Sequence, residues 1–281
     1  MKVSIFPRFG ALNSGPVFKA FGLGAISLGH EVVEHDLTAD VFVIWSVLWN
    51  GRMSANKEIW DLAKKQGKKL IILEVGGLLR GKTWRVGLGH INNLGFFYHK
   101  ENYDLDRPRK LGIELKNLYN FGENVLICGQ HSKSQQWNKN LKPETWLENV
   151  IQEVKKHTDR KIIFRPHPRD FEWCKSLPRI GAEIRIPQKI AGTYDDFDHV
   201  EDFARAHIVL NLLGNTAIQA ALSNIPVYTS KDSLAYPISI KNLENLENPE
   251  SVDKNEWLLK ICHCEWTLEE ISQGNPLDNL L

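Results

Sequence analysis

The 281-residue sequence lacks a hydrophobic run long enough to cross a membrane. A spanning helix needs roughly 18 or more apolar residues, whereas the longest candidate, residues 41–49, has only the length of a strand. The N-terminus begins directly with a strand-like segment and shows neither the hydrophobic region nor the cleavage site of a signal peptide. We therefore expect a protein without a membrane span that resides in the cytoplasm.

Cysteine is scarce and is not spaced for zinc. The four cysteines at positions 128, 174, 262 and 264 do not form the paired motifs of a zinc site, so we expect buried or reduced thiols. No Asp-X-Asp motif follows a predicted strand. The acidic residues Asp195, Asp196 and Asp198 could hold Mg²⁺, but a solvated loop explains them better, and we expect no metal.

Composition is typical of a folded globular protein, with 42% hydrophobic and 25% charged residues. The formal net charge of +1 conceals a basic stretch over residues 80–116, which holds eight Lys or Arg against four acidic residues. Such an excess could face a polyanionic acceptor, although solvated surface also accounts for it. The length suffices for one large or two ordinary domains.

Strand and helix signals alternate along both halves of the chain. Helices of ten or more residues between strands indicate parallel sheets with right-handed crossovers. We predict an α/β protein with two Rossmann-like, doubly wound domains that face a central cleft. The domain boundaries are 1–120 and 121–281, and the second domain includes amphipathic C-terminal helices over residues 254–272. Ligands of such folds bind at the carboxyl ends of the strands.

Three loops in the second half each follow a predicted strand and carry groups suited to a nucleotide diphosphate. Arginine forks bind phosphate oxygens, imidazoles donate to phosphate or ribose, and the backbone amides of a helix start attract anions. A turn, a rigid surface loop and an ordinary helix cap are the structural alternatives for the three loops. The candidates are Gly129, Gln130, His131 and Ser132 in the first loop, Arg165, His167 and Arg169 in the second, and Gly214, Asn215, Thr216 and Gln219 in the third.

In the first half, Glu74 follows a predicted strand and is the candidate catalytic base. The alternative is that Glu74 caps a turn or pairs with Arg80 or Arg85. Since it is the one carboxylate after a clear strand, direct inverting displacement is favoured over double displacement. Residues 75–84, which follow Glu74, are predicted to form a Gly-rich, basic loop. Tryptophans near this loop could stack on an acceptor, although core packing explains many of them equally well. The candidate acceptor-binding residues are Asn13, Ser14, Trp49, Arg80, Lys82, Trp84 and Arg85.

The second half resembles the donor-binding domain of GT-B glycosyltransferases with a His-Pro motif. The similarity covers roughly residues 124–230 and depends on Arg165, His167 and Pro168, and on the segment 215–227 (Asn-Thr-Ala-Ile-Gln-Ala-Ala-Leu-Ser-Asn-Ile-Pro-Val). It departs from the pattern at Gly214 and Asn215, where the family often has two serines or Gly-Gly-Ser. The resemblance implies a nucleotide sugar, UDP- or CMP-linked, as co-substrate, with no separate cofactor.

The first half resembles the acceptor domain of phage DNA β-glucosyltransferases, in its Met-Lys strand and in Glu74 followed by Thr83 and Trp84. This likeness and the basic stretch imply transfer of a sugar to 5-hydroxymethylpyrimidine in viral double-stranded DNA. A glycosyltransferase of capsule or lipopolysaccharide biosynthesis and a sugar-nucleotide epimerase are the alternatives, together with a non-enzymatic nucleotide- or DNA-binding protein. Fold alone does not choose among them.

Overall fold

The structure is a computed structural model, and it describes residues 1–115, 122–137, 141–177, 180–193 and 196–281. The chain divides into two compact units. Unit 1 comprises Met1–Gly112, Lys133–Gln135 and Leu258–Leu281, and unit 2 comprises Ile113–Ser132 and Gln136–Trp257. The predicted boundary at residues 120 and 121 lies outside the described residues. The C-terminal segment groups with unit 1, whereas the sequence assigned it to the second domain.

In chain order the helices and strands alternate through most of the sequence. They are β1 (Lys2–Ile5), α1 (Gly15–Ser27), β2 (Glu31–Glu34), β3 (Val41–Trp45), α2 (Asn56–Gln66), β4 (Lys69–Val75), β5 (Trp84–Leu88), α3 (Arg107–Lys110), β6 (Asn124–Cys128), α4 (Pro143–Val154), β7 (Lys161–Arg165), β8 (Glu183–Ile184), α5 (Val200–Ala204), β9 (Ala206–Asn211), α6 (Asn215–Leu222), β10 (Val227–Tyr228), α7 (Asn255–Cys262), β11 (Glu265–Trp266) and α8 (Leu268–Ser272).

Unit 1 contains a six-stranded sheet in the order β11-β5-β4-β3-β1-β2. Strands β1 to β4 are parallel to one another, as predicted. Strand β5 was missed, since the sequence analysis predicted only a Gly-rich loop there; it runs antiparallel to β4, and β11 runs antiparallel to β5. The short connection between β4 and β5 permits this, because antiparallel neighbours need only a turn between them.

The core of unit 1 lies on both faces of this sheet. Every residue of β3 is buried, which is the pattern of a strand covered on both sides. On one face α1 packs through Val17, Phe18 and Phe21, and α8 contacts α1. On the other face Ile59 and Trp60 of α2 pack against the sheet. This packing places the ends of β3 and β4 next to each other.

Unit 2 contains a fully parallel five-stranded sheet in the order β10-β9-β6-β7-β8. Successive strands β6, β7 and β8 extend the sheet in one direction, and β9 and β10 extend it in the other. The switch point therefore falls between β6 and β9, where doubly wound sheets bind their ligands. Helix α4 packs on one face through Leu147, Ile151 and Val154, and α6 packs against β9 and β10.

Both units are α/β with a mainly parallel sheet, so the predicted fold class is confirmed. Over the described ranges, no helix combines the length and the apolar character that crossing a bilayer requires.

Candidate functional site

The loop after β6 begins with Gly129, and the structure explains why glycine stands there. A Cβ atom at this position would lie 3.1 to 3.2 Å from the Phe164 ring and from Cα of Pro166. The Gly129 amide also donates to the carbonyl of Arg165 at 2.7 Å. From the sequence, glycine was expected here because a ligand would approach the backbone closely. In the structure, the groups that approach closely are Phe164 of β7 and Pro166, the residue after β7.

Asp170 joins the loops after β6 and β7. Its Oδ2 accepts a hydrogen bond from the Ser132 amide at 2.5 Å and lies 3.3 Å from Nδ1 of His131. The buried His131 ring is close to the ring of His167, with 5.1 Å between centroids. The structure thus brings together the two histidines predicted from separate loops. Asp170 was missed, although its position directly after the Arg-Pro-His-Pro-Arg motif was a signal.

Arg165, which was predicted to bind the donor phosphates, is only 5% exposed, and its side chain contacts two aspartates. Nη2 donates to Oδ1 of Asp198 at 3.0 Å, and Nη1 donates to the Asp198 carbonyl at 3.1 Å and to the Asp202 carboxylate. Asp202 also accepts a hydrogen bond from Arg185, so the positive charges of two arginines are matched by the negative charges of two aspartates. A buried charge requires such pairing, and Arg165 is therefore engaged within unit 2.

His167 and Arg169 remain near the surface at the carboxyl end of β7. Nδ1 of the half-buried His167 accepts a hydrogen bond from the Arg169 amide at 3.2 Å. A neutral ring in this arrangement carries its proton on Nε2, where it is a donor. The Arg169 side chain is exposed. This strand end thus presents the imidazole of His167 and the guanidinium of Arg169.

Asn211, at the end of β9, positions the start of α6. Its buried side chain donates to the Cys128 carbonyl at 2.9 Å and accepts from the Gly214 amide at 2.5 Å. Gly214 is the N-cap residue of α6 and has no side chain that could cap the helix. Asn215, Thr216 and Gln219 are half-buried. The sequence analysis missed Asn211, whose signal was an amide inside an apolar strand. The first amides of a helix attract anions.

Cys128 lies beside this helix start but is not a candidate nucleophile. Burial raises the pKa of its thiol to about 12, so the thiol stays protonated near neutral pH. Burial likewise raises the pKa of Cys174, Cys262 and Cys264 to about 12. All four cysteines are buried and free, as the sequence predicted.

Glu74 lies near the carboxyl end of β4 in unit 1. Its Oε2 accepts from the Ser46 hydroxyl at 2.5 Å and its Oε1 accepts from the Val75 amide at 2.8 Å. Ser46 adopts a left-handed conformation (φ 62°), and its amide donates to the Leu73 carbonyl at 2.7 Å. Arg85, an alternative partner in the sequence analysis, lies opposite Glu74 in the register of β4 and β5. Ser46 was not predicted.

Arg85, which was predicted to bind the acceptor, is only 4% exposed and donates to Glu265 at 2.8 Å. The fully buried Glu265 also accepts from the amides of Gly77 and Leu78 and from the Thr83 hydroxyl, at 2.7 to 3.0 Å. This carboxylate therefore organises the loop between β4 and β5 from inside, and Arg85 neutralises it.

Two further acceptor candidates are also internal. Trp84 is 7% exposed and belongs to the core of unit 1, where it lies opposite Trp266. Ser14 is 1% exposed and donates to the Ala11 carbonyl at 2.8 Å, within the turn before α1. Both side chains, which were predicted to bind the acceptor, are thus withdrawn from solvent.

The remaining acceptor candidates are accessible. Asn13 and Lys82 are exposed, and Arg80 is half-buried. Trp49 is half-buried and makes an edge contact with Trp60, with 5.9 Å between centroids. In the part of the chain that the structure describes, no three His, Cys, Asp or Glu side chains form a metal-binding group. Asp195 of the acidic cluster lies outside that part.

The fold resembles that of solved sugar transferases. No protein-family model matches the sequence, and no curated protein matches it. The β-Kdo 2,4 transferase of Thermosulfurimonas dismutans KpsC is 15% identical, with a TM-score of 0.52 over 93% of this chain and 90% of that chain. The β-Kdo 2,7 transferase of the same KpsC is 11% identical, with a TM-score of 0.54 over 98% of both chains.

A UDP-GlcNAc 2-epimerase from Methanocaldococcus jannaschii, solved with UDP-GlcNAc and UDP, is 14% identical. The match covers 93% of this chain and 98% of that chain, but its TM-score of 0.35 does not establish a common fold. Because the two KpsC structures are only 15% and 11% identical to this chain, they show a shared fold and nothing more. The expected α/β architecture of GT-B type, with two Rossmann-like units, is therefore confirmed.

Mutations of Arg165 and Arg169 should differ in the size of their effect on stability. Arg165→Gln leaves Asp198 and Asp202 short of a buried partner and should lower the free energy of unfolding by about 3 kcal/mol. Arg169→Gln removes an exposed side chain and should change it by no more than about 0.5 kcal/mol. Urea unfolding of both variants measures this. Equal stability of the two variants would contradict a structural role for Arg165.

Proposed function

We propose that this protein is a glycosyltransferase that moves a sugar from a nucleotide sugar to an acceptor hydroxyl. The observation that carries the proposal is the cluster at the carboxyl ends of β6, β7 and β9 in unit 2. There His131, His167 and the start of α6 lie at the switch point of a doubly wound sheet. The shared fold with two enzymes described as β-Kdo transferases supports it.

The donor diphosphate or phosphate would bind to groups that need no metal. His167 and Arg169 supply donors from the loop after β7, and the first amides of α6 supply the positive end of a helix dipole. Gln130, Thr216 and Gln219 complete the predicted donor set. Arg165 contributes indirectly, because its ion pairs hold the loop that contains Asp198 against the end of β7. A UDP- or CMP-linked sugar is the proposed co-substrate.

Glu74 is the proposed general base of the transfer. Its two hydrogen bonds, from Ser46 and Val75, restrict the carboxylate to one orientation at the end of β4. In a direct displacement, the acceptor hydroxyl loses its proton to Glu74 as its oxygen bonds to the anomeric carbon. The bond from that carbon to the phosphate oxygen breaks, and the nucleotide leaves with the electron pair. One displacement inverts the anomeric configuration.

For the acceptor we propose a glycan of the capsule or lipopolysaccharide type. The preference for hydroxymethylated DNA drew on a basic stretch with aromatic neighbours, and Arg85 and Trp84 of that stretch are buried. Arg80, Lys82 and Trp49 remain accessible, which is a modest surface for a polyanion. The similarity to two Kdo transferases agrees with a glycan acceptor. DNA glucosylation and sugar-nucleotide epimerisation are the alternatives.

A panel of nucleotides tests donor binding. UDP, CMP, GDP and ADP, each free and sugar-linked, are added at saturating concentration while thermal unfolding is followed. A cognate nucleotide at about a hundred times its Kd should stabilise the protein by about 2.7 kcal/mol. His167→Gln should reduce that stabilisation, and the control His99→Gln, on an exposed side chain of unit 1, should not. If no nucleotide stabilises the protein, the proposed function is wrong.

Replacing Glu74 by Gln tests the base. The variant should bind the donor as the wild type does but transfer sugar about 100 to 10,000 times more slowly, since general base catalysis contributes that factor. Glu58→Gln, on an exposed position of α2, is the control. Nucleotide release is measured with oligosaccharide acceptors and with hydroxymethylcytosine duplex. Unchanged turnover in Glu74→Gln excludes it as the base, and release without acceptor favours the epimerase.

A further inference from the structure

Two hydroxyl groups directly after β10 are buried and lack a hydrogen-bond partner within the described residues. Thr229 and Ser230 follow β10, and Thr229 is 5% exposed. Both hydroxyl oxygens are shielded from solvent, and neither has a hydrogen-bond partner among the residues that the structure describes. Burying a hydroxyl in this state is unfavourable, and native proteins rarely tolerate it unless a water or a ligand supplies the missing hydrogen bond.

These two residues lie alongside the turn that precedes α6. Strand β10 is parallel to β9, with Val227 opposite Val209 and Tyr228 opposite Leu210. The pairing continues past both strands, because the Ser230 amide donates to the Leu212 carbonyl at 3.1 Å. The two hydroxyls are therefore next to the segment that leads from β9 into the first turn of α6.

The alternation of side chains places Thr229 on the face that carries α6. Tyr228 packs into the core with Ile208, Leu210 and α4, and no described residue of α6 belongs to that core. Helix α6 nevertheless packs against β9 and β10, so it covers the other face. Consecutive strand residues point to opposite faces, so Thr229 lies on the face opposite to Tyr228. It stands at the carboxyl end of the sheet, where α6 begins.

Asn211 supports the same arrangement. It is one residue beyond Leu210, so it also lies on the α6 face, and its carboxamide accepts from the amide of Gly214, the N-cap. Asn211 has partners for both its oxygen and its nitrogen. Thr229 and Ser230 are the neighbouring polar groups whose hydroxyls have none in the described structure.

We propose that the hydroxyl of Thr229 binds an oxyanion of the donor at the N-terminus of α6, with Ser230 next to it as the second hydroxyl to be tested. This inference rests on the proposed function and adds Thr229 to the donor site as a specificity residue. Buried hydroxyls and helix amides are neutral donors, and together they suit a desolvated anionic oxygen. The oxyanion is either a phosphoryl group of the nucleotide or a carboxylate on the transferred sugar, since the two present the same acceptor chemistry.

The experiment combines the stability of the unligated protein with ligand affinity. Thr229→Val keeps the shape and removes the hydroxyl, Ser230→Ala removes the second hydroxyl, and Thr229→Ser retains a hydroxyl. Calorimetry measures the Kd of inorganic pyrophosphate, UDP, UDP-glucose, UDP-glucuronate, CMP and CMP-N-acetylneuraminate. We expect Thr229→Val to keep or raise the Tm of the free protein and to weaken oxyanion binding about tenfold, the effect of one hydrogen bond to a charged group. Thr229→Ser should restore binding.

The control is Thr83→Val in unit 1, because the Thr83 hydroxyl is buried and donates to Glu265 at 3.0 Å. This variant should lower the Tm and leave oxyanion binding unchanged. The two Thr→Val variants are thus expected to differ both in their effect on the Tm and in their effect on oxyanion binding. A loss of stability in Thr229→Val as large as that in Thr83→Val shows that Thr229 has an internal partner and overturns the proposal.

Comparison of the Kd values of the different ligands identifies the oxyanion. Weaker binding of pyrophosphate, UDP and CMP assigns the hydroxyls to a phosphoryl group. Weaker binding confined to UDP-glucuronate or CMP-N-acetylneuraminate, with UDP-glucose unchanged, assigns them to a carboxylate. If the wild type binds ligands and Thr229→Val binds them equally well, the hydroxyls serve only a buried water, and this inference alone is wrong. If the wild type binds none of the probes, the proposed function falls with it.

Discussion

Buried arginine–carboxylate pairs are the interaction on which both units depend. In unit 2, Asp198 and Asp202 neutralise Arg165 at the end of β7, and in unit 1 Glu265 neutralises Arg85 between β4 and β11. A buried charge that loses its partner strongly destabilises the fold, so each ion pair holds its loop in place. These contacts give irregular segments after strands a defined position, which a binding site on such loops requires.

The strands were largely predictable because their hydrophobic runs are local signals. The segments predicted as strands, 31–34, 41–45 and 124–128, and the helix predicted over 215–222 coincide with β2, β3, β6 and α6. Strand β5 was missed because its place in the sheet depends on β11, far along the chain. The site was only partly predictable. The sequence identifies Arg165 as a cation at a strand end, but its partners are 33 and 37 residues away in a segment without regular spacing. Nothing local distinguishes an arginine that binds phosphate from one that binds Asp202.

The internal role of Arg165 changes the chemistry of the donor site. Without that guanidinium, the groups near the switch point are two imidazoles, one exposed arginine, the amides of a helix start and buried hydroxyls. Most of these are neutral hydrogen-bond donors, which stabilise an anion through the orientation of their N–H and O–H groups rather than through a net charge. Such preorganised donors are effective where water is excluded, because they need no reorganisation when charge develops on the leaving oxygen. Orientation by Asp170 and Asn211 therefore matters as much as the donors themselves.

The carboxyl ends of β6, β7 and β9 are the proposed binding site for the phosphate of a nucleotide, and a crystal structure with UDP or CMP bound is the decisive measurement. We expect phosphate oxygens within hydrogen-bond distance of the first amides of α6 and of His167, with Arg165 still paired to Asp202. A nucleotide bound elsewhere, or an Arg165 that has left Asp202 to contact the phosphate, would contradict it.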